Sequence, residues 1–155
     1  MTRGTPYHVG NAGEDFEDII ADKVNAEAID DQLWPEINGV TFDVKHHIGT
    51  SGLPHLRANS LGKTWLWNRI HHDYYESQPR ANIFLRSHAH YYMGVDGPDW
   101  MGFILPALQG AESNFGKRIC EGIVNYGFMW FDIENLKQWR NNPIWRRWIL
   151  VGGMQ

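Results

Sequence analysis

Ile83-Phe84-Leu85-Arg86-Ser87-His88-Ala89-His90-Tyr91-Tyr92 is the stretch on which the reading of this chain turns. Residues 83–85 are apolar and read as a short buried strand, which hands the chain to two histidines separated by one residue. In extended backbone alternate side chains point the same way, so His88 and His90 are expected to converge on one point. A loop at a strand end grips a metal in this way. A second stretch repeats the design: Val40-Thr41-Phe42-Asp43-Val44-Lys45 reads as a strand and delivers His46 and His47 at its end. These histidines at the ends of two strands are the strongest chemical signal in the sequence.

The bulk properties bound what surrounds them. At 155 residues the chain is about one domain long, with no internal repeat, low-complexity tract or second domain. Hydrophobic residues at 43% and charged residues at 21% exclude both disorder and membrane embedding, and describe a soluble globular protein. Eight Trp, six Tyr and seven Phe favour a large core or a broad contact surface. A formal charge of -4 argues against a protein that coats nucleic acid, while leaving room for a local basic patch. Cys120 is the only cysteine, so any metal site within the chain uses histidine and oxygen ligands. No run approaches the ~20 apolar residues that span a bilayer, and no basic-then-apolar leader opens the chain, so cytoplasmic residence is the default expectation.

Taken in order, Gly4 to Gly13 is a turn-rich opening that contains His8, and it reads as a chain starting in the middle of something. Residues 14–26 read as a helix with Phe16, Ile19, Ile20 and Val24 on a common face and acidic residues in the first turn. Asn38-Gly39 is a strong turn signal feeding the strand that ends before His46. Residues 48–54 form a loop that either folds over a site or merely connects. A second helix is predicted over about 60–75, capped by Asn59 or Ser60. Its apolar residues span too wide an arc for one buried face, which predicts cover on more than one side. Residues 101–108 and 126–133 read as strands, and the tail from Glu134 alternates Trp with Arg. Strands interleaved with helices, then strands alone, predict an α/β fold: a layered sheet with flanking helices.

Each histidine has a bland reading. His8, His55, His71 and His72 are first of all structural, and neighbours such as His71 and His72 on a helix point about 100° apart and share no ligand. For His46, His47, His88 and His90 the bland reading is a set of loop histidines bonded to backbone. The α/β fold argues otherwise, because it places its ligands at the carboxyl ends of its strands.

The two strand-end motifs resemble the last two metal-binding motifs of calcineurin-like metallophosphoesterases. Val44-Lys45-His46-His47 is similar to that family's penultimate motif, and Arg86-Ser87-His88-Ala89-His90 to its closing Gly-His-x-His, with Ser87 in place of glycine. The resemblance implies that His46, favoured over His47, binds one metal together with His88, and that His90 binds the other. The opening loop is a weaker match to the family's Gly-Asn-His motif and carries over His8 as an acid for the leaving group. The family's Asp-x-His and Gly-Asp-x-x-Asp motifs are absent from the sequence. The resemblance therefore covers the C-terminal half of the pattern. It implies a domain incomplete at its N-terminus, a split protein whose other chain supplies the carboxylates, or a relative without two-metal chemistry.

The implied reaction is hydrolysis of a phosphate mono- or diester, with a nucleotide or nucleic acid among the candidate substrates. One or two divalent transition ions (Mn, Zn, Fe or Ni) would serve it. Asp43, Asp73, Asp96 and Asp99 are carboxylates that could substitute for missing ligands or bond to the ligating histidines. A reading of another class rests on Trp139-Arg140 and Trp145-Arg146-Arg147-Trp148, where cations alternate with aromatics as in a nucleic-acid-binding or assembly module. Its bland counterpart is a closing strand or helix over the core. A homo-oligomer or a complementing chain is the partner expected in either case, and a membrane is not.

Overall fold

The computed structural model describes residues 1–4, 16–51, 53–108, 124–133, 145–149 and 152–153, the last two segments and residue 132 by their backbone only. Among the described residues the chain runs α1 (Phe16–Lys23), β1 (Gln32–Leu33), β2 (Glu36–Ile37), β3 (Val40–Lys45), α2 (Asn59–Asp73), β4 (Ile83–Arg86), β5 (Met93–Asp96), β6 (Met101–Ile104), β7 (Asn125–Tyr126), β8 (Met129–Ile133), β9 (Trp145–Ile149) and β10 (Gly152–Gly153). The fold is α/β, a layered sheet with flanking helical structure.

β3, β4 and β6 form the parallel centre of a mixed sheet ordered β1-β3-β4-β6-β5, in which β1 and β5 are antiparallel edges. β2 pairs with the other half of β3, and Ile37 faces Val40 across a two-residue turn. That turn works because Asn38 and Gly39 both adopt positive φ, 50° and 78°, which suits the right-handed twist of the flanking strands. A parallel pair needs a crossover of a dozen residues or more, and α2 supplies it between β3 and β4.

Alternation along the strands makes two different faces. Val40, Phe42, Ile83, Met101 and Phe103 are buried on one face, packed with Val44 and Leu85 under Met129, Phe131 and Ile133 of β8. The other face meets α2. There Leu61 is fully buried with Ile104 and Ile48, while Trp65 stacks on Trp100 at 5.3 Å between centroids. Gly102 permits this approach: a Cβ there would lie 3.1 Å from the Leu61 Cβ and 3.2 Å from Trp100 Cζ3.

Several expectations are corrected. α2 begins after Ala58 with no side-chain cap, and the Ser60 hydroxyl donates instead to the Arg57 carbonyl. Among the described residues the helix buries one side: Leu66 and Trp67, and Tyr74 just past its end, are exposed, so its wide apolar arc is not a burial pattern. Among the described residues α1 presents Phe16, Ile19 and Ile20 to solvent, with Val24 exposed just past its end, and only Ala21 of the helix is buried. The strand expected over 126–133 is two strands, broken at Gly127 and Phe128, and that over 101–108 ends at Ile104. β1, β2 and β5 are too short, at two to four residues, for period-two patterning to reveal them. Cys120, most of the Trp/Arg tail and His8 lie outside the described residues, and the side chains of β9 do too.

Candidate functional site

Because β3 and β4 are parallel neighbours with Lys45 opposite Arg86, both chains leave the sheet on the same side. The ladder continues one residue further, where the Ser87 N–H donates to the His46 carbonyl at 2.9 Å. This fixes the two histidine loops against each other. The His46 and His88 rings meet edge to face at 5.5 Å between centroids, and His47 lies tilted against His88 at 5.1 Å. Imidazoles bound through nitrogen at ~2.1 Å to one tetrahedral cation place their centroids roughly 5 Å apart, so the spacing suits shared ligation.

The loop is not extended, which corrects the first expectation. β4 ends at Arg86, the Ala89 N–H bonds back to the Ser87 carbonyl at 2.8 Å, and His88 and His90 sit at φ 70° and 58°. Left-handed backbone costs a non-glycine residue on the order of 1–3 kcal/mol, and such outliers cluster at functional sites. The backbone curls tightly here, so strand alternation does not set the directions of these two side chains. Nδ1 of His88 and of His90 is shielded from solvent.

Asn125 braces the curl from outside. Its N–H donates to the His90 carbonyl at 2.9 Å and its Oδ1 accepts the Tyr92 N–H at 2.7 Å, while its own carbonyl takes the Ala107 N–H. Nothing in the sequence around Asn125 points to this role, which depends on a pairing more than thirty residues away. Tyr91 is buried beside it with the Arg57 guanidinium 4.7 Å over its ring. Burial pushes the Tyr91 phenol above its ordinary pKa, and the Arg57 charge partly offsets this.

The aspartates do not join the histidines. Asp43 is buried, pairs with Arg86 at 3.0 Å and accepts from Gln32 Nε2 at 2.8 Å, so it is a structural anion and not a substitute ligand. Asp99 pairs with Arg80 and Arg69, and Asp73 and Asp96 are exposed on other elements. The sequence alone does not show this pair, because Arg86 closes what reads as an apolar strand and only the parallel register sets it beside Asp43. His71 and His72 keep the bland reading as helix-end groups, with Nδ1 atoms 3.1 Å from Ser77 Oγ and 3.0 Å from the Gln78 carbonyl. His55 lies in an exposed helical turn over Pro54–Leu56.

Among the described residues, no group of three or more His, Cys, Asp and Glu side chains is placed to hold a metal ion by itself. Among the described residues the donor set is imidazole without carboxylate. It suits part of the sphere of one transition cation and lacks the bridging carboxylate that two cations need. No helix among the described residues is long and apolar enough to cross a membrane.

No family model and no curated protein matches the chain. Among solved structures, it is similar to an archaeal phosphodiesterase, with a TM-score of 0.46, 13% identity, and cover of 91% of this chain and 66% of that one. It is also similar to zinc-complexed Vps29 from Entamoeba histolytica, at TM-score 0.45 and 11% identity, covering 79% of this chain and 62% of that chain. A single mutant of the same Vps29 gives 0.45 and 12%, with 82% and 63% covered. The chain thus spans less than two thirds of the length of these structures.

Proposed function

We propose that this chain contributes a histidine-built metal centre to the hydrolysis of a phosphate mono- or diester. The observation that carries the reading is the meeting of His46, His47 and His88 at the carboxyl ends of two parallel neighbouring strands, at ring spacings of 5.1 and 5.5 Å. The left-handed backbone at His88 and His90 supports it, because a fold that only needed to connect β4 to β5 has cheaper turns. By the family resemblance His46 and His88 would hold one divalent ion of the Mn, Fe, Ni or Zn class and His90 a second, each needing further donors from outside the described residues. When bound, such an ion supplies positive charge to phosphoryl oxygens and acidifies a water for in-line attack.

The chain's own residues position and shield. Asn125 and the Ser87–His46 bond hold the backbone of the two histidine loops. A complementing chain or a second copy would supply the carboxylates that no described residue offers, and with them a second ion. His8, by the family resemblance, would protonate the leaving group.

Metal content per chain after purification without chelator tests the reading, on wild type and on the His46→Ala, His88→Ala, His90→Ala triple variant. Bis-para-nitrophenyl phosphate hydrolysis is followed alongside. The expected result is bound metal and turnover in wild type and neither in the variant. Metal that persists in the variant, or is absent from both proteins, overturns the assignment.

A further inference from the structure

A cleft of about 340 Å³ opens between the polar side of α2 and the ends of β1 and β3. Its charge is out of keeping with a chain of net charge -4. Lys45, Lys63 and Arg86 line it against a single carboxylate, Asp43, and the buried Arg86–Asp43 pair at 3.0 Å cancels one of those cations. Lys45 and Lys63 form no ion pair with any described residue, so two cations remain facing the space. An anion is the complement of such a cleft.

The α2 wall also carries an aromatic group, one turn beyond Lys63. Trp67 lines the cleft from α2 and is 49% exposed, which leaves its indole face open to stacking. The His71 ring lies tilted at 6.0 Å from it and steadies its orientation. Lysines 45 and 63 beside an open indole are the two halves of a nucleotide site, charge for the phosphate and a π-face for the base. The volume lies at the low end of small-molecule sites, ~300–1,000 Å³, which suits a mononucleotide.

His47 connects this cleft to the histidine cluster, since it lines the cleft and its ring lies 5.1 Å from that of His88. We infer that the cleft binds a nucleoside monophosphate, with the base on Trp67 and the phosphate between Lys45, Lys63 and His47. Only the cleavage of that ligand rests on the function proposed above; its binding does not.

Isothermal titration calorimetry on the chelator-treated full chain separates the two. Adenosine monophosphate, ribose 5-phosphate and adenosine are the probes. The monophosphate is expected to bind at least about tenfold more tightly than either fragment, because each lacks one of the two recognition elements. Trp67→Ala should bring it down to the affinity of ribose 5-phosphate and leave that ligand unchanged, while Trp67→Tyr restores most of the difference. Lys45→Ala with Lys63→Ala should weaken both phosphates at least about tenfold and flatten the salt dependence. These positions are on the surface of the cleft, and an unchanged circular dichroism spectrum confirms folding. Equal affinities for the monophosphate and ribose 5-phosphate, indifference to Trp67→Ala, or no binding overturns the inference. Metal-dependent turnover without nucleotide binding would sink this inference alone, and nucleotide binding by a chain that takes up no metal would sink only the proposed function.

Discussion

The two faces of the central strands are made by alternate residues of the same segments, yet they obey different rules. On the β8 side Val40, Phe42, Ile83, Met101 and Phe103 form an unbroken apolar surface. On the α2 side the same strands offer Asp43, Lys45 and Arg86, with a buried ion pair at their centre and a polar cleft at their edge. The first face needs only hydrophobic area, at ~25 cal/mol per Å² removed from water. The second needs a partner for each charge that it buries. Holding the fold with one face leaves the other free to carry groups that cost stability.

That comparison breaks most sharply at the ion pair. Arg86→Met should destabilise by about 3–5 kcal/mol, because Asp43 stays buried without its counter-charge. Adding Asp43→Leu should recover most of the loss, since a buried pair often gains little over well-packed apolar groups. Phe103→Ala on the opposite face should cost a similar ~3–5 kcal/mol, with no second-site rescue of this kind. Denaturant unfolding of the four proteins decides it. A double variant no better than Arg86→Met would mean that both faces tolerate change equally badly.

Gly102→Ala probes the seam where α2 rests on the sheet. The added methyl group would press on Leu61 and Trp100, which predicts a loss of about 1–3 kcal/mol by overpacking. A neutral result in thermal unfolding would show that the helix rides on the sheet loosely.

A smaller effect, of opposite sign, is expected at the histidine curl. Single variants His88→Gly and His90→Gly relieve left-handed backbone and should leave stability within about 1 kcal/mol of wild type, on the stabilising side. Metal content should fall in both. A clear loss of stability would make these histidines structural parts of the fold and weaken the case for a site. The smallest effect belongs to α1. Ile20→Ser should move stability by no more than about 0.5 kcal/mol, because the side chain is 49% exposed. A larger loss, or a change in sedimentation, would reveal a cover over that helix.

What could be read in advance follows from where the governing interactions lie. β3 matches its expected bounds, and β4 and the Asn38-Gly39 turn lie where they were expected, because local alternation and turn chemistry determine them. The convergence of the two strand-end loops also follows, since adjacent parallel strands end on one side. The histidine geometry does not, because alternation holds only for extended backbone and this backbone curls left-handed. Asn125 and the Asp43–Arg86 pair were invisible because they depend on register between distant segments. The apolar stripe of α1 misled for a related reason: periodicity says which residues share a helix face, not whether anything packs on that face.

The parallel ladder between β3 and β4 has a kinetic side. Its contacts join residues about forty positions apart, as in the Thr41 N–H bond to Asn82 and the Arg86 bond to the Asp43 carbonyl. Such a ladder cannot form until the crossover containing α2 has closed, and loop closure of this kind slows folding. The imidazole cluster therefore has no local precursor in the unfolded chain. It appears in the same step as the native topology, and any ion that binds it reports, by its uptake rate, on the zipping of the sheet.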